Sequence, residues 1–182
     1  MMWMLIPIVI IILLGLFVFT YNGLVKRRNR VKNAWSQIDV QLKRRFDLVP
    51  NLVETVKGYA KHEKETLEDI VKARNSYISA SGTEDAIKAN NEITGALNRL
   101  FALAESYPDL KANENYIQLQ NDLTNAENKI GYSRQFYNDS VLIYNNFRQV
   151  FPNNIISSIF NFKDEPYFQV EETERENIKV RF

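Results

Sequence analysis

The first 25 residues contain no charged side chain, and from Trp3 to Tyr21 they are almost entirely apolar. In a helix with a rise of about 1.5 Å per residue, this run spans about 27 Å, close to the ~30 Å hydrocarbon core of a bilayer. Trp3 and Tyr21 place an aromatic ring at each end, as is typical of the two membrane interfaces. The pattern predicts a transmembrane anchor in residues 1–23.

Five basic residues follow the apolar run: Lys26, Arg27, Arg28, Arg30 and Lys32. Basic flanks stay on the cytoplasmic side, which predicts a single-pass protein of the cell membrane with its N-terminus outside and its C-terminal domain in the cytoplasm. A signal peptide is disfavoured because no basic residue precedes the run and no small-residue cleavage pattern follows it. The same cluster would lie at headgroup level, so membrane lipids are expected partners.

Beyond the basic cluster, apolar residues recur in alternating steps of three and four, as on one face of a helix. The first helix is expected to continue from the anchor and end near Phe46. A chain reversal is expected at residues 47–49 in preference to a kink, because Pro50 disfavours helix in the residue before it and suits the first position of a new helix. The sequence predicts helices at residues 24–46, 50–79, 84–107 and 114–150.

Segments of this kind with short connections pack as antiparallel bundles. The predicted fold class is therefore all-α, with one N-terminal transmembrane helix followed by an antiparallel four-helix bundle in residues 24–152. On the fourth helix, Tyr137 and Tyr144 are expected to be core residues. Their hydroxyls would reach a polar partner, for which the candidates are Asn90, Ser133 and Ser140.

The tail, residues 153–182, is first apolar and then charged from Glu171. Four of its residues, Ile155, Ile156, Ile159 and Phe160, would share one face of a short helix. If the four bundle helices alternate in direction, this face arrives near the bilayer surface. It would then either insert shallowly into the interface or fold back and seal the end of the bundle, and the pattern supports both.

The composition excludes several classes of function. With 23 basic and 22 acidic residues the net charge is +1, which gives no reason to expect nucleic acid binding. The chain has no Cys and one His, and its six glycines are scattered, so thiol chemistry, a zinc-protease site and a phosphate-binding loop are not expected. We therefore expect no enzyme activity, no cofactor and no small-molecule substrate. The remaining possibility for chemistry is a cation held by Glu63, Glu105 and Glu127. The alternative is a structural role in which Glu63 pairs with an Arg or Tyr.

A second basic cluster, Lys43, Arg44 and Arg45, lies about 26 Å beyond the first along a straight helix. This exceeds the ~8 Å Debye length at physiological salt, so the cluster is not expected to interact with the membrane. It is a candidate patch for an acidic partner. The alternative is that these cations only complement the end of the first helix.

Several motifs resemble the LemA family of bacterial membrane proteins. They include AWSQIDVQLKRRFDLVPNLVETVKGY at residues 34–59, ESYPDLKAN at 105–113 and RQFYN at 134–138. The resemblance covers about residues 21–168, and the charged end from Glu171 has no clear counterpart. It implies one N-terminal membrane helix and a cytoplasmic four-helix bundle, and it supplies no catalytic residues.

The expected function is a non-enzymatic, membrane-anchored adaptor or scaffold that presents its bundle to another protein at the cytoplasmic face. The alternative is a self-associating protein that organises the membrane or binds lipid. The expected partners are accordingly membrane lipids and either a second protein or further copies of this chain.

Overall fold

The computed structural model describes residues 2–60 and 62–169, with side chains from Ile6 onward. The predictions for the Trp3 ring and for the charged end from Glu171 lie outside the described part. The described residues form six helices and no strand, which confirms the all-α class. The helices are α1 (Met2–Lys57), α2 (Lys64–Ile78), α3 (Thr83–Ala104), α4 (Pro108–Lys111), α5 (Glu114–Gln149) and α6 (Asn153–Ile159).

Helix α1 is continuous through Pro50, so the predicted reversal at residues 47–49 is wrong. The predicted second helix at 50–79 is likewise wrong as one element, because residues 50–57 are the end of α1 and a turn separates them from α2. An interior proline costs about 3 kcal/mol, through a lost hydrogen bond and a clash with the preceding turn. Val49, Leu52 and Val56 are all fully buried, and each contributes about 1.5–3 kcal/mol. The burial of these three side chains outweighs the cost of the proline. The proline ring itself lies on the exposed side of the helix, so it does not interrupt the buried stripe.

The chain reverses instead between Lys57 and Lys64. The backbone N–H groups of Tyr59 and Ala60 both donate to the Val56 carbonyl, at 2.9 Å, and this closes the last turn of α1. Gly58 is the first residue after the helix, a position where glycine is common, although its φ is not positive. The side chain of Ala60 is then buried, which fixes the path of the turn.

The predicted apolar stripes of α3 and α5 are largely confirmed. On α3, Ala86, Asn90, Ile93, Leu97, Leu100 and Ala104 are all buried. At the start of α5, the Asn113 side chain accepts a hydrogen bond of 3.0 Å from the Tyr116 N–H and caps the helix. The stripe does not continue past the far end of α5, where the side chain of Phe151 is 79% exposed.

The described residues fall into two compact units. Among these residues, the first unit joins residues 2–37 with residues 134–167, and the second joins residues 38–60 and 62–133 with Phe168 and Gln169. Both α1 and α5 contribute a part to each unit. The core of the first unit includes Leu24, Val31, Ala34, Tyr137, Val141 and Tyr144, and that of the second includes Ile38, Leu42, Leu52, Ile70, Ile93 and Leu100. The antiparallel four-helix packing and the boundaries at residues 23 and 152 stay predictions.

Within α1, the apolar segment is long and apolar enough to cross a membrane, and little of it is buried in the protein. Its large side chains from Ile6 to Phe19 are exposed, which is compatible with a membrane anchor. The segment continues without interruption through Gly23 into the basic cluster.

Candidate functional site

The basic cluster after the apolar segment is largely fixed against aromatic rings of the first unit. The guanidinium carbon of Arg27 lies 3.6 Å from the centroid of the Phe147 ring. Two further pairs join Arg28 to Phe162 at 4.7 Å and Arg30 to Phe136 at 5.4 Å. Cation–π contacts of this kind hold an arginine in place while leaving its N–H groups able to donate.

Gly23 makes the closest of these contacts possible. A β-carbon at this position would lie 2.8 Å from the Phe147 Cζ atom, which is a steric clash. The absent side chain therefore lets the Phe147 ring approach α1. Arg27 lies over the same ring and donates to the Gly23 carbonyl at 3.2 Å.

A polar groove follows α1 just beyond the apolar segment. Its lining includes the amides of Asn22, Asn29 and Asn33, and the cations of Lys26 and Arg30. Amide and cationic donors of this kind suit a phosphate oxygen. These positions recur on one helix face, so Lys26 and Arg30 of the first basic cluster have a geometry compatible with lipid headgroups as well as with setting the topology.

Side chains of α5 hold the tail in place. The Tyr137 hydroxyl donates to the Pro166 carbonyl at 2.8 Å, and the Tyr144 hydroxyl donates to the Lys163 carbonyl at the same distance. Both rings are fully buried, as predicted. Their partners differ from the prediction, because they are tail carbonyls rather than Asn90, Ser133 or Ser140.

Asn145 completes this attachment by bonding both backbone groups of one tail residue. Its side-chain amide donates to the Glu165 carbonyl and its side-chain oxygen accepts from the Glu165 N–H, each at 3.0 Å. An extended segment with no strand neighbour thus satisfies its backbone groups through side chains. Burial raises the pKa of the Tyr137 and Tyr144 phenols, so both hydroxyls stay protonated donors at neutral pH.

Glu165 gives a pH-dependent prediction. Burial raises the pKa of its carboxyl, and Lys32 and Arg28 offset this only in part. Because the folded state holds this proton more tightly than the unfolded state does, protonation of Glu165 stabilises the fold at low pH. This stabilisation is lost as the pH rises through the folded-state pKa. We expect Glu165→Gln to raise the melting temperature at neutral pH and to change it little near pH 4.

The Asn145 bonds survive in this variant, since they involve only the backbone of residue 165. Asp139→Asn, on the exposed side of α5, serves as control and should change neither value. A lower melting temperature for Glu165→Gln at neutral pH would contradict the assignment.

The apolar part of the tail is divided between two environments. Ile156 and Phe162 are buried, whereas Ile155, Ile159 and Phe160 are exposed. The prediction that Ile155, Ile156, Ile159 and Phe160 share one face is therefore wrong for Ile156. One side of the short helix α6 faces the protein and the other faces outward. The same helix can therefore seal the end of the protein with one side and leave the other side available to the membrane interface.

The three residues of the second basic cluster also differ in their exposure to solvent. Lys43 is exposed and Arg44 lies 3.8 Å from Asp122, but Arg45 is only 3% exposed. Its Nη1 atom lies 2.6 Å from Glu127 Oε2 and donates to Asn90 Oδ1 at 2.7 Å. The prediction of an exposed patch is wrong for Arg45, which lies in a polar layer of the second unit.

The three glutamates considered as cation ligands each have a different partner. Glu63 accepts a hydrogen bond of 2.9 Å from the Tyr107 hydroxyl, which is the pairing that the sequence offered as the alternative. Glu105 pairs with Lys111, and Glu127 pairs with Arg45. In residues 2–60 and 62–169, His, Asp and Glu side chains do not form a group of three that would hold a metal ion.

An apolar groove in the second unit escaped the sequence analysis. It has a volume of about 1110 Å³ and lies between the end of α1 and α2. Val53, Ala60, Leu67 and Val71 supply its apolar surface, and Lys57, Lys64, Lys72 and Glu68 supply charged groups. The expected break at Pro50 concealed this groove, because a helix running from 50 to 79 places both of its walls on one element.

Comparison with known proteins identifies the relationships of the chain. A family model described as LemA family matches residues 34–182, including the charged end for which the sequence suggested no counterpart. The protein named Protein LemA of Metamycoplasma hominis is 30% identical over 176 residues, which cover 92% of this chain and 79% of that relative.

Proposed function

Because the chain belongs to the LemA family, we propose from that premise that it is a membrane-anchored helical adaptor without catalytic activity. The apolar segment of α1 anchors it in the cell membrane, with the N-terminus outside. The remainder of the chain offers binding surface to another protein at the cytoplasmic face. The observation that carries the proposal is the apolar groove between α1 and α2.

The groove has the properties of a protein-docking site. Buried side chains of Val53, Ala60 and Leu67 form its apolar base, and the exposed Val71 extends it outward. Its volume of about 1110 Å³ is above the ~300–1,000 Å³ typical of small-ligand pockets, and its open form suits a helix better than a small molecule. Amphipathic helices commonly bind in such grooves through apolar residues spaced three or four apart.

The charges at the groove favour an acidic occupant. Three lysines line it against the single carboxylate of Glu68. Lys57 already pairs with Glu54 at 2.8 Å, while Lys64 and Lys72 are exposed. We therefore infer that the partner contributes an amphipathic helix with acidic residues beside its apolar stripe, because complementary charge fixes orientation and raises the association rate.

Photo-cross-linking tests the groove. A photoreactive residue at Val71 in native membranes is expected to cross-link to a different polypeptide, through an acidic amphipathic segment identified by mass spectrometry. Val40 is the matched control, because it is an exposed valine of the same unit that does not line the groove. Charge reversal by Lys64→Glu and Lys72→Glu should reduce the Val71 product several-fold and leave the far-UV circular dichroism unchanged.

The outcomes separate the adaptor from the alternative, a self-associating protein that organises the membrane. Cross-links between copies of this chain alone would favour the self-associating membrane organiser and would exclude the adaptor. Equal cross-linking at Val71 and Val40 would show that the groove does not select a partner.

The orientation has its own test. Green fluorescent protein fused after Phe182 is expected to fluoresce, and alkaline phosphatase at the same point is expected to be inactive, because basic flanks stay inside. As control, the five basic residues from Lys26 to Lys32 are changed to glutamine and two lysines are inserted before Trp3, which should invert part of the population. An active phosphatase fused to the unaltered chain would overturn the proposed topology.

A further inference from the structure

Phe160, the residue after α6, lies against the last turns of the apolar segment. Its ring centroid is 5.7 Å from that of Phe17 and 5.0 Å from that of Tyr21. Phe162 also approaches Tyr21, at 5.8 Å. Phe17 belongs to the apolar segment and Tyr21 ends it. The end of α6 is therefore level with the boundary of the candidate membrane span.

Helix α6 has two different faces. Asn153, Ile156 and Ser157 are buried and face the protein, and the Asn153 amide donates to the Phe147 carbonyl at 2.9 Å. On the other side, Ile155 is 52% and Ile159 69% exposed, and the adjacent Phe160 is 44% exposed. The inner face fixes the orientation of the helix, so its outer apolar face is held outward.

The segment around α6 contains no charge from Val150 to Phe162. Contiguous apolar side chains exposed to water are unfavourable and mark contact surfaces. From the level of this surface and its composition, we propose that the outer face of α6, formed by Ile155, Ile159 and Phe160, inserts shallowly into the headgroup–acyl boundary of the leaflet where the α1 span ends.

Two observations favour lipid over a protein as the occupant of this face. The face is continuous with the exposed apolar surface of α1 through the Phe17–Phe160 contact, so lipid surrounding one also reaches the other. A basic side chain lies near its end, since Arg28 rests on Phe162, and Phe162 contacts the same Tyr21 ring as Phe160 does. An apolar face bordered by arginine is the composition of interfacial membrane helices. The inference requires that α1 spans the membrane, and it is independent of the adaptor role.

A depth-dependent fluorescence experiment tests the proposal on the full-length chain. The protein has no cysteine, so Ile159→Cys gives a single labelling site for an environment-sensitive fluorophore. Asp139→Cys, exposed on α5 at least two turns before its end, is the matched control. The protein is placed in nanodiscs of equal parts phosphatidylcholine and phosphatidylglycerol. Lipids carrying a nitroxide near the headgroup end of the acyl chain should quench the label at 159 several-fold more than the label at 139, and aqueous iodide should show the reverse order.

Three results would overturn the proposal. Iodide quenching at 159 as strong as at 139 in the nanodiscs would show that the face is in water. Protection in native membranes but not in nanodiscs would assign the face to another protein. Protection lost when each nanodisc holds a single copy would assign it to a second copy of this chain. Ile155→Cys provides a second site should the label at 159 alter the circular dichroism spectrum.

Discussion

Arg45→Ala is expected to lower the free energy of unfolding by about 2–4 kcal/mol, a large fraction of the stability of an ordinary domain. The guanidinium is buried and lies 2.6 Å from Glu127, and it also donates to Asn90 and Thr94 at 2.7 and 3.0 Å. Its removal leaves polar groups of α3 and α5 without their partner. The estimate is below the largest values for broken buried pairs, because the Glu127 side chain is 40% exposed and water can replace part of the interaction.

Arg44→Ala is the matched control for this change. The neighbouring arginine is half exposed, and its nearest carboxylate oxygen, on Asp122, is 3.8 Å away. Exposed pairs of this kind contribute about 0–1 kcal/mol. Urea unfolding of the detergent-solubilised protein, followed by circular dichroism, measures both variants. Equal losses from Arg44→Ala and Arg45→Ala would contradict the buried position of Arg45.

Tyr137→Ala should cost about 3–5 kcal/mol, as is usual when a large buried aromatic side chain is truncated. The ring is 1% exposed and packs edge-on against Trp35, with centroids 5.6 Å apart. Its hydroxyl also holds the tail through the Pro166 carbonyl. The loss therefore combines a core cavity with release of the tail, and limited proteolysis near residue 166 should report the second effect separately from urea unfolding.

Two variants divide these contributions. Tyr137→Phe keeps the ring and removes only the hydrogen bond, so it should cost about 1 kcal/mol and still increase cleavage of the tail. Tyr132→Ala removes a tyrosine of the same helix that is 79% exposed, and it should change neither stability nor cleavage. A loss from Tyr132→Ala as large as that from Tyr137→Ala would show that the buried face of α5 is assigned wrongly.

The sequence predicts the helices well where a regular stripe of apolar residues decides the structure. The α3 stripe from Ala86 to Ala104 and the extent of α5 follow from alternating steps of three and four. Pro50 led to a wrong prediction, because its local preference against a preceding helical residue was given more weight than the burial of the side chains around it. That burial is visible only in the folded protein. The steps through Val49, Leu52 and Val56 continue the α1 stripe across the proline, and Gly58 is the better signal for its end.

The candidate sites are harder to predict, because they depend on segments without periodicity. The hydroxyls of Tyr144 and Tyr137 donate to the backbone carbonyls of residues 163 and 166. Every residue has a carbonyl, so the pattern of side chains does not predict which one accepts. The burial of Arg45 was also hidden, since it stands in a run of three basic residues that reads as a surface patch. Asn90 on the α3 stripe was the available clue, because a buried amide requires a polar partner.

The edge-on contact between Trp35 and Tyr137 also constrains the order of events during synthesis. These two rings lie 102 positions apart in the chain. At translation rates of ~5–20 residues per second, the ribosome needs roughly 5–20 s to make the intervening stretch. Throughout this interval, the apolar side chains of α1 beyond the membrane segment, Leu24, Val31 and Ala34 among them, have yet to meet the half of α5 that shares their unit. The part of α1 up to Gln37 is thus made first and covered late, and its apolar face stays without its partner from α5 until residue 137 and the tail behind it have been made.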